Sequence, residues 1–156
     1  MVDLDARADR LDSYLAATGD DAVWFARPNA FAWLTGGRNT PAGDDGTGVA
    51  AAGYVPGDEP AFRAVAPAGE AERIAAEELP DDFGIESVPW YEPLGEAVAA
   101  ETLGSGAADF DAPGLDHFEA GSLRQPLAAD DIERYRQLAE ETAAAVERVC
   151  RELDPE

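Results

Sequence analysis

Hydrophobic positions follow two rhythms along the chain. Spacings of three and four come first: Leu4, Leu11, Tyr14 and Leu15 share one face, with Asp5, Asp9, Arg10 and Asp12 elsewhere. This predicts a helix over Leu4–Thr18, capped by Asp3 and stopped by Gly19. The unbroken apolar run Ala22–Ala26 then reads as a buried strand. Pro28-Asn29 turns the chain, one or two helical turns fit Asn29–Leu34 with Asn29 as N-cap, and Gly36-Gly37 ends them. Pro41–Thr47 is a Gly/Asp loop. Two strands follow, Gly48–Val55 and Ala61–Val65, joined at Pro56-Gly57-Asp58 as an antiparallel pair.

From there helices and strands alternate. A helix is predicted over Glu70–Leu79 with Ile74 and Leu79 inward, then a strand at Ile85–Val88. A helix over Leu94–Leu103 opens at Pro93, which suits a first helical position, and a strand follows at Ala107–Phe110. The irregular stretch 111–125 holds one short edge strand near Leu115–Phe118. This order predicts an α/β fold, a mixed five- to six-stranded sheet flanked by helices. A long helix ends the chain, over Ala129–Leu153. Ile132, Tyr135, Leu138, Thr142, Val146, Val149 and Leu153 make a continuous stripe along it. A band that size is expected to be covered by another chain, so Ile132, Tyr135, Leu138, Val146, Val149 and Leu153 are interface candidates. The division expected is an α/β domain at 1–127 and the long helix at 128–156.

Composition changes the picture through charge. The chain has 156 residues, with 33 Asp and Glu against 11 basic residues, all Arg, for a net charge of −22. Such a surface repels itself in dilute buffer, but the screening length falls to ~3 Å at 1 M salt. A halophilic cytoplasm is therefore the expected setting. The clear apolar runs and 46% hydrophobic residues argue against a disordered acidic chain. Nucleic acid is a poor partner without a basic patch. No membrane span or signal peptide is expected, because the charged N-terminus leads into no long apolar run. Cys150 stands alone, so no internal disulfide forms, and it is expected to be buried or at an interface.

The inventory for catalysis is thin. With one His in total, His117-Phe118-Glu119 has too few ligands for a metal and reads as a loop His beside a surface carboxylate. The pairs Asp20-Asp21, Asp44-Asp45, Glu77-Glu78, Asp81-Asp82 and Asp130-Asp131 are expected on a solvated face in so acidic a chain. Gly36-Gly37 lacks the surroundings of a phosphate loop.

Three segments carry a family resemblance. Asn29, Trp33, Leu34, Thr35 and Gly36 match an Asn-x-x-Tyr/Trp-Leu-Thr-Gly signature with one extra residue in the spacing. Glu70–Leu79 is similar to Glu-Ala-x-Arg-x-x-x-Glu-Glu-Leu, and Gln125–Leu138 to Pro-Leu-x-x-x-Glu-Ile-x-x-Tyr-Arg. In this order the segments resemble the N-terminal domain of the creatinase, prolidase and Xaa-Pro aminopeptidase family, of a halophilic archaeal type. The resemblance implies a ribonuclease H-like sheet and a following pita-bread domain. That domain would hold two divalent metal ions (Mn, Co or Zn) with Asp, His and Glu ligands that lie beyond this chain. It thus implies no cofactor in this chain, no catalysis by it alone, and a parent enzyme that is a homodimeric Xaa-Pro peptidase acting on peptides. This domain would cap the active site, commonly of the partner subunit. Trp33, Arg38 and Asn39 are the capping candidates: Arg38 either meets a substrate carboxylate or pairs with a surface acid, and Trp33 is either a wall beside it or core. The other reading is a free-standing dimeric interaction module without enzymatic activity.

Overall fold

In the computed structural model, which describes residues 2–40, 42 and 44–153, the chain forms two units, Met1–Arg124 and Gln125–Glu156. Helix α1 spans Leu4–Thr18. The Asp3 carboxylate caps it by accepting from the Ala6 N–H, and Gly19 closes it in the left-handed region. Its inward face carries Leu11 and Leu15, as the spacing predicts, and also a fully buried arginine, Arg7.

Strand β1 is Ala22–Phe25 and helix α2 is Pro28–Thr35. The expected cap at Asn29 is corrected: Pro28 is the first helical residue and Arg27 the N-cap. Proline suits that place because its ring presets φ and the missing N–H has no helical partner there anyway. Strands β2 (Ala51–Tyr54) and β3 (Phe62–Pro67) form the predicted antiparallel pair. Helix α3 is Ala68–Glu77, two residues earlier than expected, directly after Pro67. Strand β4 is Gly84–Val88, helix α4 is Leu94–Glu101, strand β5 is Gly106–Ala108 and β6 is Asp116–His117. Helix α4 stops short of the predicted Leu103, and Pro93 is its N-cap rather than its first residue. Thr102 turns its hydroxyl back to the Val98 carbonyl (2.8 Å) and accepts the indole N–H of Trp24 (2.9 Å). Of the predicted loop at 41–47, Pro41 and Gly43 lie outside the described residues.

The sheet order is β4-β3-β2-β1-β5-β6. Strand β2 runs against β1 and β3, and the remaining pairings are parallel, so the sheet is mixed as expected. Alternation along β1 divides the core. Val23 and Phe25 face a cluster built with Leu11, Leu15, Phe31, Leu34 and Ile74. Ala22, Trp24 and Ala26 face another with Val65, Val98 and Phe110. Each fully buried large side chain contributes ~1.5–3 kcal/mol. Trp24 lies so close over β2 that a Cβ at Gly53 would sit 2.4 Å from its ring. In contrast, Trp90 and Tyr91, between β4 and α4, are exposed and pack edge-on against each other at 5.9 Å.

The second unit is helix α5, Ala129–Glu152. Asp130 and Asp131 occupy its first turn and Arg151 its last, the signs the helix dipole favours. Pairs four apart brace it, Arg134–Asp130 at 3.0 Å and Arg151–Glu147 at 2.7 Å. Among its described residues none is buried. The interface candidates Ile132, Tyr135, Leu138, Val146, Val149 and Leu153 are all exposed, and so is Cys150.

Candidate functional site

Helix α2 and the loop after it are held by two carboxylates, one at each end. At the entrance Asp109, which follows β5, turns Oδ1 to the N–H groups of Ala26 (2.8 Å) and Arg27 (3.3 Å). The Arg27 Nε–H donates to the Asp109 carbonyl at 2.7 Å. Asp109 is 2% exposed, and its Oδ2 is buried without a hydrogen-bond partner. Burial pushes its carboxyl above the ordinary value, and the two N–H groups and the Arg27 charge offset this only in part.

At the exit Gly36 takes the left-handed region and caps α2 on the Ala32 carbonyl. Thr35 then accepts from the Gly37 N–H at 2.9 Å. The next two N–H groups, of Arg38 and Asn39, both donate to Glu78 Oε2, at 2.9 and 2.6 Å. The other oxygen, Oε1, accepts from Arg73 Nη1 at 2.5 Å, and Arg73 Nε donates to Glu70 at 2.8 Å. Burial alone would raise the Glu78 carboxyl. The Asn39 N–H, the Arg73 guanidinium and the Arg38 N–H reverse this and hold it below the ordinary value. Bonds to Glu78 and Glu70 in turn raise Arg73. Gly37 is required for this approach, because a Cβ there would lie 2.5 Å from the Glu78 carbonyl oxygen.

The pair Glu77-Glu78 therefore corrects the expectation of a wholly solvated face. Glu77 is exposed, but Glu78 is 8% exposed and holds the loop. The segment Glu70–Leu79 was legible as a motif, and Glu70–Arg73 follows from its spacing. Glu78 lies beyond the last turn of α3, so helical periodicity gives no sign of its partner.

The three capping candidates separate. Asn39 is fully buried, at φ 48°. Its Nδ2 donates to the carbonyls of Ala26 and Ala50, both at 2.7 Å, and its Oδ1 accepts from the Ala50 N–H at 3.0 Å. The carboxamide thus does the work of a strand between the end of β1 and the start of β2. This is why β2 begins at Ala51 and not at the predicted Gly48. Trp33 is core: its ring meets Phe25 edge-on at 5.9 Å and lies under the Arg7 guanidinium at 4.7 Å. Arg7 Nε also donates to the Trp33 carbonyl at 3.1 Å. Arg38 alone of the three is exposed, and nothing ties its guanidinium to another described residue. Beside this loop lies a cavity of 360 Å³ lined by Thr40, Ala42, Val49, Glu70 and Arg73, within the size range of small-ligand sites.

His117 is on β6 rather than in a loop, with its Nε2 3.9 Å from exposed Glu119. Among the described residues no group of three or more His, Cys, Asp or Glu side chains could hold a metal ion, so no step through a metal is derived for this chain. No helix among them is long and apolar enough to cross a membrane.

The fold is similar to that of several solved structures. The prolidase from Pyrococcus horikoshii is similar over 96% of this chain and 43% of its own, with TM-score 0.64 and 13% identity. A proline dipeptidase from Streptococcus agalactiae is similar over 77% of this chain and 97% of its own, with TM-score 0.55 and 14% identity. A Creatine_N superfamily domain of a dipeptidase from Streptococcus thermophilus is similar over 78% of this chain and 98% of its own, with TM-score 0.55 and 13% identity. No protein-family model matches the sequence, and no curated protein does. At these identities the likeness shows the fold: this chain has the fold of the creatinase/prolidase N-terminal domains. It spans less than half of the Pyrococcus prolidase.

Proposed function

We propose that this chain is the non-catalytic N-terminal part of an Xaa-Pro peptidase-like metallohydrolase, where it caps the active site and makes subunit contacts. The observation that carries this is the extent of the likeness. It takes in 96% of this chain but 43% of the Pyrococcus prolidase, which leaves more than half of that chain for what this one lacks. The parent would bind two divalent ions, Mn, Co or Zn, through residues outside these 156, and cleave peptides as a cytoplasmic homodimer in a high-salt cell. Within this chain Arg38 is the residue offered to substrate, as an exposed cation on a backbone held from both sides. A carboxylate is its natural partner. Trp33 and Asn39 serve the cap by fixing the helix and loop that carry it.

The test takes this chain alone and the same chain continued through its downstream reading frame, in multimolar KCl with Mn²⁺ or Co²⁺ and Xaa-Pro peptides. The continued protein is expected to hydrolyse them and the 156-residue chain to show no turnover. Cleavage by the short chain would overturn the division of labour, and a stop after codon 156 would overturn the parentage.

A second reading draws on the exposed stripe of α5, which fits a free-standing module that dimerises through Ile132, Tyr135, Leu138, Val146, Val149 and Leu153. It expects a dimer of the 156-residue chain in light scattering, lost on Leu138→Glu.

A further inference from the structure

We propose that Glu78 is a positioning residue, which acts on substrate by aiming Arg38. The inference rests on the reading of Arg38 as the group that meets a substrate carboxylate, and it adds what sets the direction of that group. The Arg38 side chain has no tie to another described residue, so its aim comes from its backbone. That backbone is fixed at three points. Gly36 is held by the end of α2, Asn39 by the carbonyls of Ala26 and Ala50, and between them the N–H groups of Arg38 and Asn39 converge on one oxygen of Glu78. Two donors on one oxygen leave the peptide plane between Arg38 and Asn39 little freedom to rotate. The carboxylate itself cannot swing, because its second oxygen is held by Arg73 and Arg73 by Glu70. A free cationic tip on a locked backbone is the arrangement that a carboxylate-recognising arginine requires, since binding then orders only the side chain.

A residue that only stabilised the fold would act on every substrate alike. A residue that aims Arg38 acts only where there is a carboxylate to meet. The experiment therefore uses the enzyme that contains this chain, an Xaa-Pro dipeptide with a free carboxylate, and the same dipeptide as its C-terminal amide. Arg38→Ala is expected to raise KM for the free acid about tenfold and leave the amide unchanged. Glu78→Ala is expected to give the same split, Glu78→Gln a smaller one because one oxygen remains to accept, and Arg38→Ala with Glu78→Ala no more than Arg38→Ala alone. If Glu78→Ala does not fold, Gly37→Ala displaces the same loop with the Glu78 charge intact and is expected to give the split. Loss on both substrates alike from Glu78→Gln or Gly37→Ala, or effects that add to those of Arg38→Ala, would overturn the positioning role and leave the reading of Arg38 standing. No change on either substrate from Arg38→Ala would overturn both.

Discussion

Asp109 and Glu78 perform one task at opposite ends of α2, and their chemistry diverges. Each offers a single oxygen to two successive backbone N–H groups, and each is nearly sealed from solvent. They differ at the second oxygen. That of Glu78 meets Arg73, whereas that of Asp109 is buried without a partner. Burial raises both carboxyls. The balance ends below the ordinary value for Glu78 and above it for Asp109. Both feel an arginine charge, Glu78 that of Arg73 and Asp109 that of Arg27, but Asp109 is the more deeply buried and only Glu78 bonds its arginine through the second oxygen.

The largest effect would break the comparison by loading both carboxylates with background charge. At a net charge of −22, transfer from multimolar KCl to 0.01 M lengthens the screening distance to ~30 Å, and the thermal midpoint is expected to fall by roughly 10 °C. A midpoint independent of salt in calorimetry would refute halophilic adaptation. Next in size is Glu78→Ala, which strips two backbone donors of their acceptor and should cost about 2 kcal/mol in urea titrations at fixed KCl. Smallest, and opposite in sign, is Asp109→Asn. It keeps an acceptor for Ala26 and Arg27 and removes a charge that the site disfavours, so it should raise stability at neutral pH by no more than about 1 kcal/mol.

Acid sharpens the contrast. Glu78 titrates lower in the folded than in the unfolded chain, so its contribution is present above the unfolded carboxylate range, ~4, and is lost as pH falls through the folded value. Asp109 titrates higher when folded. Its contribution is present below that range and is lost as pH rises through the folded value. The gain from Asp109→Asn should therefore fade on acidification toward pH ~4, before the loss from Glu78→Ala begins to fade. Parallel pH profiles of the two differences would remove the distinction.

Much of the scaffold was legible because it follows local rules. The first helix, Leu4–Thr18, came from spacing and an Asp cap, and the antiparallel pair β2–β3 from the Pro56-Gly57-Asp58 turn. What escaped was set by residues far apart in the chain. Arg7 sits at a position that spacing assigns to the buried face of α1, but a charge there reads as surface until Trp33 is seen above it. Asn39 looked like a polar group delivered to a site. The backbone of Ala26 and Ala50 that it satisfies lies 13 and 11 residues away. Glu78, within an acidic pair, carried no local mark of burial. Arg38 is the one exposed candidate of the three, and its exposure owes to its place just after two glycines, where the chain leaves α2 and enters the loop.

The unequal placing of the tryptophans has a practical consequence. Trp24 and Trp33 are 0% and 7% exposed, while Trp90 is 82% exposed. An aqueous quencher such as acrylamide will reach one emitter of the three. The native protein thereby carries an unlabelled optical probe at the β4–α4 turn, and its shielding would register any molecule that settles there.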